Sequence, residues 1–320
     1  MNTDSLAILI KQKALSLGFN AVGITGPEIL DSAREDFRQY ILEGRHAGMK
    51  WLAESENIRT DPRALFPETQ SVIMVAVNYY RKRETAILPP KFGTISIYAR
   101  GRDYHKVLRN KLKKLQRWLG EAVPESNTRI FVDSFPIMEK PLAMRAGIGW
   151  IAKNTTLIIK GKGSYFFLGG LLLNLSLPVD SPLTEDYCGS CQKCQEACPT
   201  GALDAPFKID SNKCISYLTI EHPGSIDPMH HQSMDNLVFG CDICQMICPW
   251  NDRFASSTDE SDFKNRFRRS ELSLKKLVNL SKDQYEKFFE GTPVRRSGYE
   301  RFRENVRIAL NNLKSRSNKA

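Results

Sequence analysis

The chain is 320 residues long, 41% of them hydrophobic and 26% charged, with a formal net charge of +10 at neutral pH. This length and composition allow a sizeable buried core, which excludes a disordered polypeptide and predicts two or three domains. The longest apolar run, residues 166–179, is too short to cross a bilayer, and residues 1–18 have the pattern of an amphipathic helix rather than of a secretory signal. We therefore expect a cytoplasmic protein that does not bind membranes.

Helical and strand patterns alternate over residues 1–180, as is typical of an α/β or α+β domain. The predicted strands are 21–24, 71–79, 94–99, 129–133, 156–159 and 165–175. The predicted helices of this region are 5–17, 28–43, 104–119 and 138–146. A cysteine-rich module at 181–252 follows, and beyond a polar linker the segment 263–320 has three predicted short helices, 272–278, 281–289 and 298–313.

All eight cysteines lie between residues 188 and 248, in two runs and one single position, and a proline follows the last cysteine of each run. Three thiols at i, i+3 and i+6 are typical of two-cluster ferredoxins, in which the fourth cysteine of a run binds the other cluster. This rule predicts one 4Fe-4S cluster on Cys188, Cys191, Cys194 and Cys248. It predicts a second cluster on Cys198, Cys214, Cys241 and Cys244.

Other uses of eight cysteines fit the spacing less well. Structural zinc sites favour pairs of C-x2-C separated by a dozen or more residues, and the prolines have no role in such sites. Disulfides would require an oxidising compartment and would usually be spread along a small scaffold. The pattern therefore indicates an electron-transfer module inserted in a larger protein.

The excess positive charge lies at the C-terminal end. Residues 264–320 contain 16 Lys and Arg against 6 Asp and Glu, which accounts for the whole net charge. Arginine suits phosphate recognition and neighbouring aromatic side chains can stack on bases, although a solvated basic face and core packing explain the same residues as well. A polyanionic partner is the more specific hypothesis.

Several segments together resemble epoxyqueuosine reductases. They are residues 131–140 (FVDSFPIMEK), 143–155, 163–169 (GSYFFLG), 214–221 (CISYLTIE), 240–245 (GCDICQ), 59–63 (RTDPR) and 98–105 (YARGRDYH). A generic ferredoxin would share only the cysteines, whereas this resemblance covers roughly residues 1 to 310. It is therefore specific to the family rather than to the iron-sulfur module.

The resemblance implies an α+β fold whose α/β-like domain, residues 1–180, binds cobalamin. The two-cluster ferredoxin-like module would occupy residues 181–252, and the basic helical segment 263–320 would contact tRNA. The implied reaction is the last step of queuosine biosynthesis, in which cob(I)alamin fed by two 4Fe-4S clusters reduces epoxyqueuosine to queuosine at the tRNA wobble position. An unidentified electron donor and a monomeric state are expected. Because members of this family continue into helical repeats and this sequence ends at Ala320, tRNA binding should depend on the short basic segment.

The resemblance also assigns site residues. Asp133, at the end of a predicted strand, corresponds to the family's acid, and partial desolvation above a corrin would raise its pKa and keep a proton available. Positions expected to face the cofactor are Arg59, Asp133, Asn154, Leu157, Leu168, Ser216 and Asp242. Positions expected to contact tRNA are Arg295, Arg296, Arg301, Arg303 and Arg307. No cobalt-ligating histidine is expected, because Leu108 replaces the glycine in the only Asp-x-His motif, Asp103 to His105.

Two alternatives remain at this point. A reductive dehalogenase-like cobalamin enzyme acting on a small molecule would share the cofactors, but the basic segment and the missing export signal argue against it. An iron-sulfur electron-transfer subunit without a substrate site would leave the 187 residues ahead of the first cysteine unexplained.

Overall fold

The computed structural model describes residues 2–82 and 87–317 of the chain. Its helices are α1 Thr3–Ser16, α2 Asp31–Leu42, α3 Lys50–Ala53, α4 Glu56–Thr60, α5 Pro62–Leu65, α6 Tyr104–Ala122, α7 Glu139–Arg145, α8 Lys193–Glu196, α9 Ile215–Ile220, α10 Pro228–Met234, α11 Ile243–Met246, α12 Pro249–Phe254, α13 Leu274–Leu277, α14 Lys282–Phe288 and α15 Gly298–Ser317. Its strands are β1 Ala21–Thr25, β2 Ser71–Asn78, β3 Thr94–Ile95, β4 Thr128–Phe131, β5 Trp150–Ile151, β6 Leu157–Ile158, β7 Phe166–Leu173 and β8 Leu237–Phe239. Within these described ranges, no helix is both long enough and apolar enough to cross a bilayer.

A four-stranded sheet in the order β1-β2-β7-β4 forms the centre of the N-terminal region. Every pairing in it is antiparallel, so the expected α+β class is confirmed, whereas the α/β-like description of this domain is wrong. All eight residues of β2 are buried, and the sheet is closely packed: a Cβ at Gly170 would lie 2.2 Å from the Ile73 carbonyl oxygen. Glycine is therefore required there for β2 and β7 to pair.

Helix α6 packs across this sheet and determines which residues reach its edge. Its buried residues recur at helical spacing, at Val107, Leu108, Leu112, Leu115 and Leu119. Asp103 caps the first turn by accepting a hydrogen bond from the His105 backbone N–H at 3.0 Å. The helix therefore begins at a fixed point, with Tyr104 and His105 beside the end of β4.

A second core joins the three regions that the sequence suggested. Strand β3 pairs in parallel with β8 of the cysteine-rich module, over more than 140 residues of sequence. The predicted strand 94–99 is thus shorter than expected, because a 3-10 turn, Ile97–Ala99, replaces its second half. Ile95, Val238 and Phe302 share one core with the C-terminal helices, so the boundaries at 180 and 252 divide the sequence but not the hydrophobic cores.

The buried Asn305 of α15 holds this second core together. Its amide nitrogen donates to the Thr219 carbonyl at 2.9 Å and to the Val238 carbonyl at 3.0 Å. Asn305→Ala should lower the free energy of unfolding by about 2–3 kcal/mol, because two buried carbonyls lose their donor. Chemical denaturation would measure the loss. The exposed neighbour Asn311→Ala serves as the control, and equal midpoints for the two variants would contradict this account.

Candidate active site

The eight thiols form two separate groups. Cys188, Cys191, Cys194 and Cys248 line one cavity of about 160 Å³. One ordered water needs roughly 30 Å³, so this space accommodates a group of several atoms rather than a single ion. Trp150 Nε1 is buried without a hydrogen-bond partner in the described structure. It lies beside Cys188, where a sulfur could accept a hydrogen bond from its N–H. The first group therefore fits a 4Fe-4S cluster.

The other four thiols interact with one another. Burial, and then proximity to Cys241, Cys214 and Cys198, raises the pKa of Cys244 well above its ordinary value. Burial raises the pKa of Cys241 to about 12. Buried thiols of this kind lose the proton only when a metal ion replaces it on the sulfur. Binding of an iron-sulfur cluster provides this replacement.

The cysteine-rich module is fixed to the sheet by polar side chains. Lys153 donates to the carbonyls of Gly189 and Cys191 at 2.5 and 3.1 Å. Asn251 accepts from the Ser164 backbone N–H at 2.7 Å, and its amide nitrogen donates to the Ser164 hydroxyl at 2.9 Å. These contacts fix the position of both thiol groups relative to β7.

Asp133 lies in a strained turn just after β4. Its φ of 32° is unusual for a residue other than glycine, and strain of this kind costs about 1–3 kcal/mol. The turn is held by its backbone N–H, which donates to Glu139 Oε1 at 2.6 Å. Glu139 is the first residue of α7, so the start of that helix and the Asp133 turn are fixed together.

The Asp133 carboxylate accepts hydrogen bonds from the start of α6. Oδ2 accepts from the Tyr104 hydroxyl and lies 3.0 Å from His105 Nε2, while His105 Nδ1 lies 2.8 Å from Asp103 Oδ1. The Tyr104 ring stacks on Phe167 at 4.1 Å, which fixes its orientation. Sequence reasoning missed Tyr104 and His105 as site residues. The available signal was the 98–105 segment, which belongs to the family resemblance and contains both residues.

This network determines where the protons reside. Desolvation alone would raise the pKa of Asp133, but the hydrogen bonds from His105 and Tyr104 outweigh it and hold that pKa below its usual value. The raised pKa expected for Asp133 refers to the site with a corrin above it and stays a prediction. Desolvation opposes a charged His105, yet its bonds to Asp103 and Asp133 raise its pKa to about 9. Burial and the Asp133 charge raise the pKa of Glu139 to about 8.

At neutral pH, therefore, Asp133 is ionised while His105 and Glu139 hold protons. Burial and the nearby carboxylate also raise the pKa of Tyr104 far above its usual value, so its hydroxyl remains a donor. The Asp133 side chain is 53% exposed although the surrounding protein desolvates it, as expected on the floor of an open concave surface.

Cations border this surface. Arg59 lies over the Trp51 ring at 4.9 Å, and its charge interacts with that of Asp133. Arg296 forms a bidentate ion pair with Glu221 at 2.8 and 3.1 Å, and it too interacts with the Asp133 charge. An anionic or strongly polar substrate would therefore find positive charge on both sides of Asp133.

A chain of contacts connects this surface to the second thiol group. Asn154 donates to the Cys244 carbonyl at 3.3 Å, and Lys140 donates to the carbonyl of the adjacent Thr155 at 2.7 Å. Lys140 follows Glu139, which binds the Asp133 backbone. Thr155 is itself strained, with a φ of 62°. Hydrogen bonds between neighbouring residues thus connect the Asp133 turn with Cys244.

The other predicted cofactor positions differ in their burial and in the hydrogen bonds that they already form. Leu157 is buried in β6 and Leu168 is partly buried in β7. The Ser216 hydroxyl accepts from the Cys241 backbone N–H at 3.1 Å. Asp242 is buried and its two oxygens accept from the Ser96 hydroxyl and the Ile97 backbone N–H at 2.5 and 2.9 Å, so its carboxylate is already used within the protein.

The predicted tRNA-contacting arginines fall into two classes. Arg295 and Arg307 are exposed, as is Arg296, which faces Asp133. The Arg301 side chain is only 9% exposed and donates to the carbonyls of His222 and Gly224 and to Glu304. Arg303 is half-buried, with its guanidinium 5.8 Å from the Tyr299 ring centre. Arg301 thus has a structural role, which conflicts with its assignment to RNA.

Two family models match the chain. One, described as Epoxyqueuosine reductase QueG, DUF1730, covers residues 59–134 and thus extends from Arg59 past Asp133. The other, described as a 4Fe-4S double cluster binding domain, covers residues 187–251 and thus all eight cysteines. The chain therefore contains a domain for two 4Fe-4S clusters, as the cysteine spacing predicted.

Curated relatives and solved structures agree with these matches. The epoxyqueuosine reductase of Xanthomonas campestris is 42% identical, covering 97% of this chain and 87% of the relative. That of Escherichia coli K12 is 42% identical over 98% of this chain and 82% of its own length.

The crystal structure of an epoxyqueuosine reductase with an epoxyqueuosine-modified tRNA-Tyr stem loop has a TM-score of 0.89 at 28% identity, covering 99% of this chain and 84% of that one. The Bacillus subtilis enzyme, solved with its aspartate catalytic loop swung out of the active site, has a TM-score of 0.85 at 29% identity over the same shares. The resemblance found in the sequence is thus confirmed, and this chain belongs to the epoxyqueuosine reductase family.

Proposed function

We propose that this protein reduces epoxyqueuosine to queuosine in tRNA, with Asp133 and His105 supplying protons at the reacting centre. The observation that carries the proposal is the Asp133–His105–Asp103 hydrogen-bond chain. Its Asp133 end is exposed, and contacts through α7 and residues 154–155 connect it to the second thiol group. The relatives favour this substrate over a small halogenated molecule, because those compared above are all named epoxyqueuosine reductases. The concave site also speaks against a simple electron carrier.

The chemistry explains why acid and electron donors meet at one surface. Converting an epoxide to an alkene breaks both carbon–oxygen bonds, consumes two electrons and two protons and releases the oxygen as water. The protonated His105 can pass a proton through Asp133 Oδ2 to the departing oxygen, and Tyr104 keeps the carboxylate oriented. The protein thus supplies protons beside an oxygen that gains negative charge as its bonds break.

Cobalamin fits this surface. Glu139 and Lys140 are strongly desolvated although neither side chain is fully covered, which supports a concave surface with room for a large ligand. We propose that Arg59, Asn154, Leu157, Leu168 and the backbone near Ser216 hold the corrin, while Asp242 shapes the site from behind. When bound, cobalamin supplies a strongly reducing cobalt centre fed by the clusters.

The chain divides accordingly. We propose residues 1–180 as the cobalamin-binding region, 181–252 as the two-cluster module and 263–320 as a tRNA-contacting segment. Arg295, Arg296, Arg303 and Arg307 would contact tRNA, whereas Arg301 would stabilise the loop behind them. We further propose a monomer that receives electrons from a separate donor protein.

Single cysteine substitutions should reveal the two ligand sets. Cys191→Ala and Cys241→Ala should each lower bound iron from about eight atoms per chain to about four, because each removes a ligand from one cluster only. Cys248→Ala should reproduce the electron paramagnetic resonance spectrum of Cys191→Ala, and Cys198→Ala that of Cys241→Ala.

Gln192→Ala provides the control, since this exposed residue lies between two proposed ligands. It should keep both clusters. Matching spectra for Cys198→Ala and Cys191→Ala would show that the fourth cysteine of each run does not cross to the other cluster.

Asp133→Asn should lower kcat by about 10²–10⁴-fold, the range expected for loss of a general acid or base. The amide keeps the side-chain shape but cannot pass a proton from His105. Single-turnover conversion of an epoxyqueuosine-containing stem loop would measure the effect, with Asp36→Asn on the exposed face of α2 as control. Unchanged turnover by Asp133→Asn would remove Asp133 from the mechanism.

Activity should decline as pH rises through about 8 to 9, since His105 and Glu139 lose their protons there. Asp103→Asn removes one of two carboxylates that stabilise the charged imidazole, so it should move the basic limb of kcat/KM to lower pH by about one unit. Glu121→Gln, at the far end of α6, should leave the profile unchanged. A limb that stays in place in Asp103→Asn would exclude His105 as its source.

A further inference from the structure

A polar groove lies at the start of α6, where Arg102 and Lys106 flank the residues that bind the Asp133 carboxylate. It encloses about 510 Å³, and four cationic side chains and two acidic residues contribute to its lining: Arg102, Lys106, Lys264, Arg266, Asp262 and Glu290. None of the arginines assigned above to tRNA belongs to it. The groove therefore lies apart from the five arginines assigned above to tRNA and from the thiol groups.

The walls of the groove are held by backbone hydrogen bonds between distant segments. The Arg102 N–H donates to the Asp262 carbonyl at 2.8 Å, and the Arg266 N–H donates to the Arg100 carbonyl at 3.0 Å. The Asp103 N–H donates to the Gly291 carbonyl at 2.8 Å. The start of α6, the 261–266 segment and the 290–291 turn thus form one fixed frame.

The charges in the groove are only partly neutralised. Arg102 pairs with Asp262 at 3.2 Å, and the Arg266 guanidinium donates to the Glu290 backbone carbonyl at 2.8 Å. Among the residues that the structure describes, Lys106, Lys264 and Arg266 form no ion pair with a carboxylate. Lys106 and Lys264 are exposed, so their ammonium groups are available to a ligand.

We propose that this groove binds a phosphodiester of the tRNA substrate next to the nucleotide that reacts at Asp133. The inference rests on the proposed function and adds a second contact area to it. Two free ammonium groups and a guanidinium suit phosphate oxygens, which they bind largely by charge. Asp103 joins the two sites, because its backbone forms the rim of the groove and its side chain holds His105.

The position of the groove favours RNA over other sources of phosphate. Its rim at Gly291 is followed by the turn that carries Arg295 and Arg296, and the Arg296 charge interacts with that of Asp133. A tRNA strand that contacts both the groove and this turn would pass the reacting centre. The phosphate of the cobalamin nucleotide loop has the same chemistry, so the experiment must separate the two ligands.

Lys106→Glu combined with Lys264→Glu tests the proposal in the full-length protein with both clusters. Binding of a fluorescent, epoxyqueuosine-free anticodon stem loop should weaken about tenfold or more, and log Kd should depend less steeply on log salt, by roughly 1.5–2. In turnover, the rise in KM for the modified stem loop should exceed any fall in kcat, because neither lysine touches the reacting atoms.

Lys113→Glu combined with Lys114→Glu is the matched control. It makes the same charge change on exposed positions of α6 that lie about 10 Å further along the helix. The control should retain nearly wild-type affinity and salt dependence. Equal weakening by both double variants would attribute the effect to net charge and overturn the proposal, as would wild-type binding by Lys106→Glu with Lys264→Glu.

A parallel titration with cobalamin, followed by absorbance, separates the ligands. Unchanged cobalamin affinity in the groove variant supports an RNA site, whereas weaker cobalamin binding with normal stem-loop binding would assign the groove to the cofactor. Stem-loop binding does not require turnover, so a wild-type protein that binds RNA but fails to reduce epoxyqueuosine would contradict the proposed function and leave this inference standing.

Discussion

The hydrogen bond from the Asp133 backbone to the Glu139 carboxyl sets the geometry on which the active site depends. Strand β4 ends at Phe131, and the chain must reverse before α7 begins at Glu139. Asp133 takes a left-handed conformation in this reversal, and the cost is offset by the pairing of β4 with β7 and by complete burial of Phe131 and Val132. The carboxylate consequently projects from the edge of the sheet rather than capping the helix that follows.

The charges around that carboxylate form one coupled group. Ionised Asp133 keeps the proton on His105 by direct hydrogen bonding and keeps the proton on Glu139 by repulsion. Removing either proton changes the charge felt by the other sites, so the group titrates as a unit rather than as independent residues. Its members come from β4, the start of α6 and the start of α7. The tertiary fold, and not any single segment, therefore determines which residues of the site are protonated.

The sequence predicted what depends on local spacing. The four main strands and α6 were predicted to within two or three residues, because β2 and β7 are nearly continuous apolar runs and the buried residues of α6 recur at helical spacing. The grouping of the thiols follows from short turns within each cysteine run. The contact between His105 and Asp133 spans 28 residues and depends on how α6 crosses the sheet, which no local pattern encodes. The role of Arg301 could not be predicted for the same reason. Its hydrogen-bond acceptors are carbonyls of residues 222–224, which come close to it only in the folded chain.

Electron and proton delivery share one structural frame in this protein. Cys198 follows the first three cysteines in sequence but belongs to the second thiol group, and Cys248 ends the second run but belongs to the first group. Residues 188–248 therefore fold as one unit, which Asn251 and Lys153 fix against the sheet. Asn154 then links the second thiol group to Thr155, and Lys140 links Thr155 to the helix that holds the Asp133 turn. A shift of the module would therefore displace Asp133, the proposed proton donor, as well as the thiol groups. Reduction of an epoxide requires both at the same carbon–oxygen bond, and one rigid frame maintains their separation without help from the substrate.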